Sequence, residues 1–292
     1  MTPSLGTAHG IGPITVSDRD FRSLTGFIYA EAGIRLGPTK KALLAGRLSR
    51  RLRELQLDSF GDYHRYLESH PEERVPLLDC ITTNETQFFR EPRQFEALER
   101  SILPRWREAA EAGRRPRRVR AWSAGCSSGE EPYSLAMTLL EQCPPESGWE
   151  LEILATDVST RVLRRAQEAV FPIERAAHIP DRLLKRFMLK GVRGQEGRMR
   201  AADELRRAVR FERLNLKEDE YPFGGGFDLI LCRNVLIYFD QASKAHVLER
   251  LLARLAPEGH LFLGHAETLG PTQLPMRSVL PNVYARDGAP KS

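Results

Sequence analysis

RVRAWSAGCSSGEEPYSLAM, residues 118–137, decides how the larger part of this chain is read. Its first five residues are a short run suited to a strand, and its end falls inside a helical pattern over 131–142. Between them lies a turn holding Gly125 and Gly129. A glycine turn that leaves a strand and opens a helix lets a ligand approach the backbone and meet the N–H groups of the helix start. The GxGxxG spacing of dinucleotide binders is not met. By itself, therefore, the turn fits a tight strand-to-helix connection equally well, and Glu130 and Glu131 equally suit a helix dipole.

Strand-like runs follow at 151–156 (LEILAT), 227–232 (FDLILC) and 260–265 (HLFLGH), with helical patterns at 160–169 and 243–255. Strands alternating with helices imply an α/β fold with a parallel sheet covered on both faces. Between Phe171 and Phe211 the alternation is interrupted by charged, Gly-punctuated sequence such as LKGVRGQEGRMR (189–200). This reads as an inserted subdomain, a small antiparallel hairpin set.

Upstream the pattern is helical throughout. Ser17 with Asp20 resembles a capping box, and Phe21, Leu24, Phe27 and Ile28 recur at helical spacing behind it. A second helix runs from about Lys40 to Leu55 with Leu44, Leu48, Leu52 and Leu55 on one stripe. Two more stretches cover 59–69 and 72–81. Arg51 falls within the leucine stripe, so its stem should lie along the core. Arg47, Arg50 and Arg53 step around the outward side, either as a solvated face or as a docking surface. The first sixteen residues are rich in Gly, Thr, Pro and Ser and are expected to be disordered.

Composition excludes several classes. No run of 18 apolar residues exists, so neither a transmembrane helix nor membrane insertion is expected, and the start lacks the h-region of a secretory signal. Cys80, Cys126, Cys143 and Cys232 form no CxxC pair, which argues against a zinc site and a disulfide framework and fits the cytoplasm. No metal is expected. The formal net charge of +5 favours an acidic partner without choosing between nucleic acid, lipid and protein.

Three further stretches carry chemistry. TTNETQFFR (82–90) places small polar side chains beside two phenylalanines and ends on a cation, which suits a segment packed on one side and facing a ligand on the other. Asp157 ends the second strand, where an acidic residue either accepts hydrogen bonds from ribose hydroxyls or caps the helix near Ser159. FERLNLKEDE (211–220) sets Asn215 and Leu216 at a strand end, able to bracket an adenine or simply to turn the chain. CRNVLIYFD (232–240) places Arg233, Asn234 and Tyr238 after a buried strand, and ligands of open α/β sheets sit at such carboxyl ends.

TTNETQFFREP, WSAGCSSGEEPYSLAM, ATDVSTRVLRRA, CRNVLIYFD and GHAETL, in this order, resemble the CheR-type chemotaxis receptor methyltransferases over about residues 17–286. The resemblance implies a Rossmann-like S-adenosylmethionine-dependent methyltransferase domain over 86–286 with a small β-subdomain at 172–209. An all-helical N-terminal domain over 17–85 precedes it, and 287–292 form a tail. It implies methyl-ester formation on glutamate side chains of chemoreceptor helices, by a monomer needing no nucleic acid. Cofactor contacts carry over to Asn84, Thr86, Arg90, Glu131, Asp157, Asn215, Leu216, Arg233 and Asn234. Arg90 and Tyr238 would position the substrate carboxylate, and Arg47, Arg50 and Arg53 would dock the receptor. In some members the β-subdomain captures a receptor's C-terminal peptide by strand addition. Ala266 departs from the family, which more often has serine there. The alternatives are a nucleic-acid methyltransferase, for which RNVLIY replaces the usual Asn/Asp-Pro-Pro-aromatic motif, and a non-catalytic adaptor.

Overall fold

Ser17 begins helix α1 (Asp18–Ala32) by accepting a hydrogen bond from the Asp20 amide, and Gly33 ends it in the left-handed region at φ 69°. The computed structural model describes residues 15–269 and 276–286. Of the disorder expected over 1–16, residues 1–14 lie outside the described residues, as does the tail from 287, whereas Val16 is described and buried. The chain divides into two compact units, the division falling between Thr82 and Thr83.

The first unit holds α1, α2 (Lys41–Glu54), α3 (Phe60–Ser69) and α4 (Arg74–Ile81). Each buries a stripe: Phe21, Leu24 and Ile28 in α1; Leu44, Leu48 and Leu52 in α2; Phe60, Tyr63 and Leu67 in α3. Spacings of three and four put these side chains on one helix face. Arg51 lies on the same stripe, and its guanidinium meets the buried carboxylate of Glu73 (2.5 and 2.7 Å), which also accepts from the Tyr63 hydroxyl (2.9 Å).

The second unit opens with α5 (Pro92–Ala97), a π-helical turn and α6 (Leu103–Glu111), where sequence reading places no element. Then come β1 (Arg118–Ala124), α7 (Glu130–Gln142), β2 (Glu150–Asp157) and α8 (Thr160–Glu168). The insertion follows: β3 (Val170–Pro172), α9 (Asp181–Phe187), β4 (Met188–Lys190), β5 (Arg198–Ala201) and α10 (Asp203–Ala208). Its three strands pair antiparallel in the order β3-β5-β4. The chain returns to the main sheet with β6 (Val209–Arg213), β7 (Phe227–Cys232), α11 (Gln241–Arg254), β8 (Leu255–Leu263), β9 (Met276–Leu280) and β10 (Val283–Arg286).

The main sheet runs β6-β2-β1-β7-β8-β10-β9. Its first five strands are parallel, as the alternation implies, whereas β10 and β9 add antiparallel at the far edge. That pair went unread because the Pro281–Asn282 turn joins two short, charge-bearing strands. Side chains alternate between two cores: Val119, Ala121, Leu229 and Leu231 face one, Trp122, Ala124, Ile230 and Cys232 the other. From β1 the chain winds outward through β2 to β6, then crosses to β7 on the other side. The switch point is therefore β1 beside β7, and in such sheets ligands bind outside the carboxyl ends of the strands at that point.

Candidate active site

The turn after β1 is held at that switch point by backbone geometry. Gly125 and Cys126 both donate to the Thr156 carbonyl (2.8 and 2.9 Å). Gly125 sits at φ 84°, and a Cβ there would stand 2.4 Å from Val235 Cγ2, so only glycine fits. Ser127, also left-handed at φ 50°, donates its amide to Asp157 Oδ2 (2.9 Å), while Asp157 Oδ1 accepts from the Ser159 amide (2.9 Å). The Asp157 carboxylate thus ties the glycine turn to the entrance of α8, whose cap is Ser159 Oγ itself. Helix α7 starts at Gly129 without a side-chain cap, leaving its first-turn N–H groups to a ligand at the switch point. A glycine-lined approach, an uncapped helix start and an acid at the end of β2 fit a nucleoside-bearing cofactor.

Residues 84–90 lie against this turn, with the phenylalanines packed inward. The Asn84 carbonyl accepts from Ser127 Oγ (3.0 Å), and the Thr86 carbonyl accepts from Arg175 of the insertion. Arg175 also pairs with buried Glu130 (3.0 Å). Phe88 is wholly buried with its ring centroid 4.9 Å from that of Phe171, and Phe89 packs 5.1 Å from Phe95. The Arg90 side chain remains half-exposed and donates to the Glu85 carbonyl (3.1 Å).

Carboxylates meet at the rim beside it. Arg233, its side chain 1% exposed, donates to Glu131 (3.1 Å) and to the Arg90 carbonyl, and lies opposite the Glu91 carboxylate as an ion pair (3.3 Å). Burial raises the Glu131 carboxyl above its ordinary value, opposed by Arg233 and by the Ser123 hydroxyl (2.7 Å). Asn234, left-handed at φ 59°, donates its amide to Glu267 (2.8 Å), which also accepts from Gly264 (2.7 Å) and Ile237 (3.2 Å). Tyr238, half-buried, closes the short turn that Glu267 secures. Asp240 caps α11 through the Ser243 amide (2.9 Å).

Of the expected site residues, then, the structure places Asn84, Thr86, Arg90, Glu131, Asp157, Arg233, Asn234 and Tyr238 around the carboxyl ends of the central strands β2, β1 and β7. Asn215 and Leu216 lie beyond β6 rather than at its end. The Leu214 amide donates to the Asp157 carbonyl (3.0 Å), and Asn215 Oδ1 turns the chain by accepting from Lys217 (3.1 Å). Arg47, Arg50 and Arg53 belong to the helical unit. Arg47 departs from its outward reading, since it is half-buried with its guanidinium on the Ile81 carbonyl at the end of α4. Arg50 is exposed and paired with Glu54 (2.8 Å), and Arg53 is exposed.

Sequence reasoning missed Glu91, Glu130, Glu267 and Arg175. A signal existed for the first and third, because each acid sits within a family stretch, Glu91 in TTNETQFFREP and Glu267 in GHAETL. Among the described residues no group of three or more His, Cys, Asp or Glu is placed to hold a metal ion, and no helix is long and apolar enough to cross a membrane.

Residues 84–282 match the family described as CheR methyltransferase, SAM binding domain, and residues 19–82 match the CheR methyltransferase all-alpha domain. Chemotaxis protein methyltransferase 2 of Pseudomonas aeruginosa is 40% identical over 274 residues, covering 91% of this chain and 92% of that protein. The chemotaxis protein methyltransferase of Escherichia coli is 40% identical over 257 residues, 87% of this chain and 86% of that one. That of Borreliella burgdorferi is 35% identical over 259 residues, 88% and 90% respectively.

Proposed function

The chain belongs to the CheR methyltransferase family, and on that premise we propose that it transfers methyl groups from S-adenosylmethionine to glutamate side chains of chemoreceptors, forming methyl esters. Family membership makes it an S-adenosylmethionine-dependent methyltransferase of chemotaxis. The observation that carries the finer reading is the junction where Asn84, Ser127 and Asp157 are linked at the sheet's switch point.

In this reading Asn84, Thr86, Glu131, Asp157, Asn215, Leu216 and Asn234 hold the cofactor, with Arg90 at their edge. Arg233 is buried, so its part is to hold Glu131 and the Arg90 backbone in place. The cofactor supplies a methyl group on a cationic sulfur, which leaves without an acid. The substrate carboxylate is ionised at neutral pH, its reference pKa being about 4.3, so no base is needed either. What remains for the chain is to strip water from the carboxylate and hold it in line. Half-exposed Arg90 attracts the carboxylate, and Tyr238 orients it by a hydroxyl contact.

The partner is the helical cytoplasmic domain of a receptor, met by Arg50 and Arg53 on the exposed face of α2. Where a receptor carries an acidic C-terminal peptide, we place it in the cleft of about 830 Å³ between α8 and the insertion, lined by Leu189, Val192, Lys190, Arg198 and Arg200. The chain works in the cytoplasm as a monomer. A nucleic-acid substrate is not favoured. Incubation with methyl-labelled cofactor tests this: receptor fragments should gain base-labile label and nucleic acid none. Label on nucleic acid instead of receptor would overturn the reading.

A further inference from the structure

We propose that Glu91 is a positioning residue that sets Arg90 against the Tyr238 turn. The proposal rests on the receptor-methylating reading above. Glu91 stands at the N-terminus of α5, where an acceptor side chain ordinarily bonds the first free amides of its helix. It makes no such bond. Its backbone is left-handed at φ 58°, a conformation an L residue adopts only when its surroundings enforce it. That backbone turns the carboxylate away from α5 and onto the rim of the sheet. There Oε1 accepts from the His265 amide (2.9 Å) and Asn234 Nδ2 (3.4 Å), and Oε2 faces Arg233 (3.3 Å).

The consequence falls on Arg90. Before it, left-handed Phe89 donates its amide to Ser134 Oγ (2.9 Å). Its own carbonyl accepts from Arg233, and after it Glu91 is fastened to both rim loops. Among the described residues the Arg90 guanidinium makes one hydrogen bond, to the Glu85 carbonyl. Its direction is therefore set by the backbone, and Glu91 is the clamp that joins this backbone to Asn234, whose amide shares Glu267 with the turn ending at Tyr238. Displacing a positioning group by about 1 Å costs on the order of a hundredfold in rate.

The test compares Glu91→Ala, Glu91→Gln, Arg90→Ala and the Arg90→Ala/Glu91→Ala double variant. Single-turnover methylation of receptor fragments, calorimetry with S-adenosylhomocysteine and amide exchange over 85–91 are read on each. Glu91→Ala should slow methyl transfer on the order of a hundredfold with product affinity retained and amide exchange raised. Glu91→Gln keeps the acceptor for His265 and loses the charge facing Arg233, so it should fall between and serves if the alanine variant does not fold. In the Arg90→Ala background the second substitution should cost little, because the two act as one unit. Independent, multiplicative losses overturn the proposal, as does affinity lost in step with rate. Unmoved amide exchange in folded Glu91→Ala overturns it whatever the substrate. Raised exchange with no receptor methylation by the wild-type chain overturns the receptor reading instead and leaves the clamp standing.

Discussion

Four non-glycine residues of the candidate active site, Phe89, Glu91, Ser127 and Asn234, sit in the left-handed region. Each such conformation costs about 1 kcal/mol or more, which packing elsewhere must offset. Sequence could mark these positions only by their neighbours, since nothing in a lone Ser or Phe announces a positive φ. Asp157 was legible because a strand-end acid has few uses, yet its two readings stayed balanced until the structure gave both oxygens backbone partners. Those partners make it a mould for the glycine turn, beside the cofactor contact proposed for it. Asp157→Ala should therefore weaken binding of S-adenosylmethionine and its demethylated product, by about 1.5–3 kcal/mol for each charge-assisted hydrogen bond lost. Calorimetry showing wild-type affinity in a folded variant reduces Asp157 to a backbone tie.

Among elements, the helices of the first unit were the most legible, because leucines at spacings of three and four admit one reading. The insertion was seen as an interruption, but its pairing order was not, since short strands with exposed faces carry no strong alternation. What periodicity could not show is charge inside a stripe. Arg51 read as a snorkelling cation, and the structure closes it on Glu73, 3% exposed, beneath Tyr63. Removing one partner of such a pair strands the other, so Glu73→Ala should lower unfolding stability by about 3 kcal/mol. A denaturant midpoint unchanged from wild type would show the pair to be idle. On the outer face of the same helix, Arg50 and Arg53 are screened by salt, and reversing both charges should weaken receptor-fragment binding, flatten its salt dependence and spare product affinity. Receptor methylation at the wild-type rate in that variant moves docking to another surface.

At the scale of the whole molecule, pH acts on stability and on chemistry through different groups, and the two can be separated. His260 on β8 is held to about 4 by burial first and then by Arg277, Arg105 and Arg115. Its folded value is depressed, so for this base the stability it lends is full above the unfolded value of 6.5 and is lost as pH falls through 4. The loss amounts to about 3 kcal/mol at most, and His260→Gln should flatten the stability curve over that window in urea titrations. Above pH 6.5 the His260 contribution no longer changes, so a rate profile taken there is free of it. There the substrate carboxylate is already ionised and the leaving sulfur needs no proton, so single-turnover rates should be nearly level from about pH 6.5 to 8.5. Arg90→Ala should lose most of the rate, whereas Tyr238→Phe should keep measurable activity, as expected of groups that orient a carboxylate rather than move a proton. Glu131 adds one complication, because burial raises its carboxyl and its titration can enter the profile from the acid side. An inflection that disappears in Glu131→Gln belongs to the cofactor site. A bell centred near neutrality that survives in Glu131→Gln would falsify the base-free mechanism.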